Sequence, residues 1–248
     1  KVLEVESGKE RPDLIEWSRA KDFPFSYFTE ASVNLAEDDA LLDKMREAGF
    51  CRVFLGIETP VEASLKEAQK GQNTKRDLLD SIQTIQSYGM EVMAGFIVGF
   101  DNDPEDIFER QTAFIRKSGI PLAMVGILSA LPDTQLWRRL KKEGRLIDEH
   151  SGNNSDCTIN FIPKMDEKEL VEGYKKLLRE IYSPPEYYQR ALDCMSRFHE
   201  GRIQPRQTHL VNDLKAFFSI VLTLGVREPS RVHFWRYFYR LLRDHNDV

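Results

Sequence analysis

Val92-Met-Ala-Gly-Phe-Ile-Val98 is apolar at successive positions, which makes it a strand that is hydrophobic on both faces. The helical pattern of Lys75–Tyr88, with apolar positions at Leu78, Leu79, Ile82 and Ile85, leads into it and stops at Gly89. Behind it, Gly99-Phe100-Asp101 and Asp103-Pro104 open a further helix carrying Ile107, Phe114 and Ile115 that ends near Gly119. Such a helix–strand–helix unit belongs to a parallel sheet. Working outward, Phe25–Glu30, Arg52–Ile57 and Leu122–Leu128 read as three more strands. Asp38–Ala48 forms a helix between the first two, and Thr59-Pro60-Val61-Glu62 offers an N-cap, a proline at the first helical position and a capping-box glutamate after the second. The expectation is an α/β architecture of about four parallel strands with right-handed connections.

The pattern changes near Gly144. Ser151–Asp156 is polar, and after Pro163 only helical periodicity remains, with Leu170, Tyr174, Leu177, Leu178 and Ile181 on one stripe before Pro184-Pro185 breaks it. Two parts are therefore expected, residues 1–145 with the strands and residues 146–248 all-helical.

The chain has 248 residues, 41% hydrophobic and 30% charged, enough to bury a full core and too apolar for disorder. Its longest apolar stretch, Ala216–Val226, is too short to span a bilayer, and Lys1–Lys9 has no signal-like apolar block. Cys51, Cys157 and Cys194 are scattered, so neither a disulfide framework nor a four-thiolate zinc site is expected, and the compartment read from them is the cytoplasm. A net charge of −5 argues against nucleic acid. The charge is uneven: residues 201–248 hold eight Lys/Arg against four Asp/Glu.

In parallel α/β folds ligands gather where strands end, because backbone N–H groups and helix N-termini converge there. Those ends are Thr29-Glu30-Ala31-Ser32, Gly56-Ile57-Glu58-Thr59-Pro60, Gly95 through Asp101, and Ser129 through Thr134. Three carry a carboxylate beside small residues, a rim that suits a polar cofactor with hydroxyls and an amino group. Each also has a structural reading: Glu30 bonding nearby amides, Glu58 near a helix start, Asp101 in a turn before Pro104, Gly95 and Gly99 as packing glycines. No G-x-S-x-G, H-E-x-x-H or paired histidines point to a hydrolase or aldolase.

Taken in order, Thr29-Glu-Ala-Ser-Val33, Gly56-Ile-Glu-Thr-Pro60, Gly95-Phe-Ile-Val-Gly-Phe-Asp101, Ala130-Leu-Pro-Asp-Thr134, Glu143-Gly-Arg-Leu146, Gly152-Asn-Asn154, Asn160-Phe-Ile-Pro163 and Tyr182-Ser-Pro-Pro185 resemble radical S-adenosylmethionine enzymes. More narrowly they resemble the subgroup with a cobalamin-binding domain and a helical C-terminal domain. The resemblance implies a partial barrel followed by an all-α domain, with Glu58 at the ribose or methionine part of S-adenosylmethionine. It implies Gly95, Ile97 and Gly99 beside the adenine, with Glu30 and Asp101 at the same cavity. Asp133 stands where many relatives have glycine in a Pro-Gly-Thr turn. The family's CxxxCxxC loop is absent, so a 4Fe-4S cluster and any cobalamin would be held outside this chain, which is expected to be a C-terminal fragment inactive by itself.

The activity so implied is radical methyl transfer to an unactivated carbon of a small-molecule or lipid-like substrate. The alternative is a non-catalytic substrate-recognition or docking module, prompted by the aromatic and basic run Arg231–Arg240 behind Ala216–Val226. That end either packs its aromatics against the barrel or makes peripheral membrane contact through residues 216–243. A barrel lacking strands would also leave the first strand as an open edge, with self-association as the expected consequence.

Overall fold

The computed structural model describes residues 13–74, 76–147, 159–198 and 210–244. The readings at Gly152–Asn154 and Cys157 lie outside them. Four strands, β1 (Tyr27–Ala31), β2 (Phe50–Glu58), β3 (Glu91–Val98) and β4 (Ala123–Ile127), form one parallel sheet in sequential order. A short helix that the sequence reading did not foresee, α1 (Leu14–Ala20), precedes them, capped by the Asp13 carboxylate on the Ile15 amide. Helix α2 (Asp39–Ala48) joins β1 to β2, α3 (Glu62–Glu67) and α4 (Leu78–Ser87) join β2 to β3, and α5 (Ile107–Ser118) joins β3 to β4. The four-stranded parallel sheet expected from the strand pattern forms, as in the partial α/β barrel that the resemblance implies.

Alternation within the strands sets what each face does. Val53, Leu55, Val92, Ala94, Phe96, Val98, Ala123, Val125 and Ile127 are buried together with Ile82, Ile85, Ile107 and Ile115 from the helices. On the opposite face, register places Glu30 beside Phe54, Phe54 beside Met93, Gly56 beside Gly95, and Gly95 beside Met124. Among the described residues this second face stays open, with Phe28 and Met124 more than half exposed. β3 is thus apolar on both sides but covered on one.

Beyond β4, α6 (Gln135–Lys142) is followed by an antiparallel bridge between Leu146 and Phe161. Helix α7 (Glu167–Ile181) then returns to the sheet. Its Leu170, Tyr174, Leu177 and Ile181 enter the same core, and the Tyr174 hydroxyl donates to the Val125 carbonyl at 3.2 Å. The core therefore runs on past residue 145, although the sequence pattern changes there. Helix α8 (Pro184–Ser196) starts on the two prolines, and its fully buried Arg190 donates to the carbonyl of Ile181, the last residue of α7. Burial pushes the Arg190 pKa down, while the Tyr182 ring 5.8 Å away and the α7 C-terminus favour its charge. The chain ends in α9 (Leu210–Ile220), a π-helical segment Val221–Arg227, and α10 (Arg231–Asp244).

Candidate functional site

A cleft of about 880 Å³ opens at the C-terminal ends of β2, β3 and β4, where parallel sheets place their ligands. Its apolar wall includes Ile97, Phe100, Leu128, Leu131 and Leu136, and its polar side includes Glu58, Lys70, Gln69, Asn102 and Arg139. The volume and this division fit a ligand with one flat apolar part and one polar, charged part.

Glu58 reaches the cleft through a defect in the strand. Between Gly56 and Glu58 the register with β3 shifts, so that Ile57 is bulged and Glu58 falls beside Phe96. Its φ of 66° is left-handed, and the Thr59 amide closes back on the Ile57 carbonyl at 2.9 Å. Bulges of this kind bend a strand and re-aim a side chain. The carbonyls of Gly56 and Ile57 are both taken by the buried Asn73 amide, at 3.0 and 3.1 Å. Glu58 pairs with Lys70 at 3.0 Å. A Cβ on Gly56 would stand 2.9 Å from the Glu58 carboxylate and 3.2 Å from the Lys70 amine, so glycine makes room for the pair.

Backbone strain gathers at the same rim. Gln69 (φ 58°) and Asp133 (φ 62°) join Glu58 among the non-glycine residues in the left-handed region. Asp133 thus adopts a left-handed conformation that glycine takes without strain, and Thr134 behind it caps α6 by accepting from the Trp137 amide. Gln69 also bonds Gln135, so the end of α3 and the start of α6 meet across the cleft.

The structure divides the six residues singled out from sequence. Glu58 and Ile97 line the cleft. Gly95 lies one step down the same face, where a Cβ would come within 3.2 Å of the Phe54 ring. Gly99, at φ 101°, makes the strand exit and packs against Leu170, with 3.1 Å left for a Cβ. Glu30 is exposed on the open face, outside the cleft lining.

Asp101 is no free ligand for a cofactor: its carboxylate is 3% exposed and already bonded twice by Arg145, at 2.7 and 2.8 Å, with Arg139 at 3.1 Å. Those hydrogen bonds hold its pKa below the usual carboxylate range. The turn before Pro104 is made by Asp103 instead, which accepts from the Gly99 and Phe100 amides and from the Ser64 hydroxyl. Burial outweighs these bonds and raises its pKa. Helix starts differ in the same way. Thr59 bonds the Val61 amide and α3 begins only at Glu62, while α5 begins at Ile107, three residues past the proline.

Sequence reading missed Lys70, Asn73, Arg139 and Glu67. Arg139 binds Glu67 at 2.6 Å, and Glu67 accepts from the Asn102 amide, so α6, α3 and the β3 exit are tied into one wall. Nothing at a fixed spacing announces such partners, because they come from separate elements.

Cys51 is buried on β2, its thiol on the Tyr27 carbonyl, as a small apolar residue at the strand start would be. Cys194 is buried on α8 beside Gln86. Among the described residues no group of three His, Cys, Asp or Glu side chains could hold a metal ion, so these residues do not fit a 4Fe-4S cluster.

Residues 134–248 match a family described as a domain of unknown function, DUF4070. An uncharacterized methyltransferase of Synechocystis sp. is 39% identical over 94% of the chain and 44% of its own length. The hopanoid C-2 methylase of Rhodopseudomonas palustris is 33% identical over 93% of the chain and 44% of its own length. The bacteriochlorophyllide d C-12(1)-methyltransferase of Chlorobaculum tepidum is 24% identical over 61% of the chain and 33% of its own length. The chain belongs to the radical S-adenosylmethionine family. It spans under half the length of these radical S-adenosylmethionine relatives, and the region they share takes in both the sheet and the helical end.

Proposed function

We propose that the whole protein is a radical S-adenosylmethionine methyltransferase acting on a small, apolar, lipid-like molecule, and that the cleft at the ends of β2–β4 takes S-adenosylmethionine. The observation that carries this reading is the bulge that turns Glu58 into a cleft whose other wall is Ile97 and Phe100. A carboxylate there accepts hydrogen bonds from ribose hydroxyls or pairs with an ammonium group, and the apolar wall takes the adenine. Gly95 and Ile97 supply the strand edge beside it. Gly99, Asp101, Glu30 and Lys70 have other tasks: the first two hold the β3 exit, Glu30 borders the open face, and Lys70 holds the Glu58 carboxylate in place until the ligand competes for it.

A 4Fe-4S cluster and cobalamin, bound outside the described residues, supply radical generation and methyl carriage, while this chain positions and excludes water. In this reading residues 1–145 are the barrel part and residues 146–248 the helical part, bolted to it by α7. The protein works in the reducing cytoplasm. Names of relatives favour a hydrophobic polycyclic acceptor, since one methylates a hopanoid and another a bacteriochlorophyllide.

The test is anaerobic incubation of the whole protein, cluster reconstituted, with S-adenosylmethionine and a strong reductant. 5′-Deoxyadenosine should form, and Glu58→Ala should weaken S-adenosylmethionine binding at least tenfold, the loss expected when a charged hydrogen-bond partner goes. A protein with a verified cluster that neither binds nor cleaves S-adenosylmethionine sinks the proposal and leaves the recognition-module alternative. Self-association is proposed for the chain by itself, through the edge of β1 that is unpaired among the described residues. Light scattering at rising concentration checks it, and a monodisperse monomer throughout counts against it.

A further inference from the structure

Helix α9 touches little of the molecule. Every residue of Val211–Ile220 is exposed, yet Leu214–Val226 carries Lys215 as its one charged side chain. The hairpin it forms with α10 is closed by aromatics: Phe217, Phe234 and Trp235 surround Phe238 at centroid distances of 5.8 to 6.2 Å. Trp235 donates to the Gly225 carbonyl at 2.9 Å. The hairpin is moored to α8 by the stack of Tyr237 on Tyr188 at 4.9 Å and by Arg240 on Gln189. Part of the aromatic run therefore packs within the hairpin and on α8, where one of the two sequence readings expected packing against the barrel.

The rest does not. Val211, Phe218, Val226, Val232, Tyr239 and Leu242 each leave more than half of their surface in solvent. So many exposed apolar side chains on one hairpin mark an interaction site. Along α10 the outward residues sort into two stripes by helical spacing. Val232, Trp235, Tyr239 and Leu242 make an apolar stripe, and Arg236, Arg240 and Arg243 run beside it, opposite the packed Phe234, Tyr237 and Phe238. Arg227, Arg231 and Arg236 have no carboxylate partner among the described residues. Residues 210–244 hold six Lys/Arg against three Asp/Glu in a chain with a net charge of −5.

We infer that the 210–244 hairpin is a peripheral binding surface for an anionic lipid bilayer, its apolar stripe among the acyl chains and its arginines at the headgroup phosphates. Apolar side chains beside a basic row are what an interfacial helix needs. The hairpin lies on the bilayer: among the described residues no helix is long and apolar enough to cross a membrane. An anionic leaflet matches both stripes at once, its acyl chains meeting the apolar side chains and its phosphates the arginines. This surface is separate from the cleft and stands whether or not the chain takes part in methyl transfer.

The experiment is co-sedimentation of the chain with vesicles of phosphatidylcholine alone or with one third phosphatidylglycerol. The chain should pellet with the anionic vesicles and far less with the neutral ones. Phe218→Glu with Tyr239→Glu should weaken binding at least tenfold, from the loss of two buried aromatic rings. Arg227→Gln with Arg236→Gln should weaken it about 25-fold at low salt, about fivefold per arginine, with the difference shrinking at high salt. All four side chains are exposed, and unchanged melting temperatures verify that both variants fold. Wild type left in the supernatant, or binding that neither pair alters, overturns the inference. So does an oligomer seen by light scattering that Phe218→Glu dissolves without vesicles, which would make this face a contact between copies.

Discussion

Gly173→Val should lower the melting temperature by about 6–12 °C. Gly173 lies in α7 against the ring of Phe108 from α5, and a Cβ there would stand 2.3 Å from Phe108 Cε2 and 2.5 Å from Cζ. Real side chains do not approach so closely, so the ring must move. Phe108 is itself buried in the main core, so its ring yields only by turning toward the groove it lines between α5 and α7 or by pushing the two helices apart. Overpacking of this kind costs roughly 1–3 kcal/mol for one added methyl and more for a β-branched residue. Against that stands the gain from removing glycine from a helix interior, about 1 kcal/mol for alanine and less for valine. The valine variant should thus lose about 3 kcal/mol, with alanine between it and wild type; for a chain of this size each kcal/mol is worth about 2–4 °C. Thermal melts followed by circular dichroism measure it. Phe108→Leu in the Gly173→Ala background should restore part of the loss, and a valine variant that melts with wild type would show that the two helices do not pack as described.

That contact also shows where sequence reading stops. The stripe Leu170, Tyr174, Leu177, Ile181 fixes α7 as a helix with one apolar face, and the four strands are legible because apolar residues alternate or run together where strands must. Which surface the α7 stripe meets is a different matter. The sequence pattern changes at residue 145, and α7 nevertheless shares the core of the sheet, because a parallel sheet left open beyond β4 offers a matching apolar surface. Two helices start later than the sequence implies, for a local reason. Thr59 and Asp103 have the chemistry of caps, but each is engaged by a backbone amide of its own turn, and the helices begin further on.

At the cleft, the sequence indicated the strand ends and two of the lining residues, Glu58 and Ile97. It could not show that Glu58 faces the cleft by way of a bulge, because a one-residue register shift leaves no mark on alternation. Nor could it tell Asp101 from Asp103. Both follow the same strand, both are acidic, and only the three-dimensional neighbourhood gives one to a pair of arginines and the other to two amides and a hydroxyl.

Those two aspartates should respond oppositely to pH. Removing the Asp101 side chain leaves Arg145 facing the place of a lost carboxylate; breaking a buried pair from one side costs roughly 3–5 kcal/mol. Arg145 keeps Glu143 at 3.0 Å and the Ile162 carbonyl at 2.8 Å, so Asp101→Ala should cost about 3 kcal/mol at neutral pH, the low end of that range. The Arg145 hydrogen bonds hold the Asp101 pKa below its ordinary value, so the folded state releases this proton more readily than the unfolded one. Its stabilisation is complete above the unfolded value of about 4 and fades as pH falls through the lower folded value. Asp101→Ala should therefore differ most from wild type at neutral pH and approach it in strong acid. Asp103 runs the other way. Burial raises its pKa, so the folded state favours the protonated acid, and its ionised form detracts from stability at neutral pH. Asparagine copies the neutral acid: its carbonyl can accept from the Gly99 and Phe100 amides while its amide donates to the Ser64 hydroxyl. Asp103→Asn should be as stable as wild type or more so at pH 7, and lose that advantage as pH falls through the raised folded value. Denaturant titrations at neutral and acid pH give both comparisons, and an Asp101→Ala deficit that grows in acid would show that its carboxylate is not held ionised by Arg145.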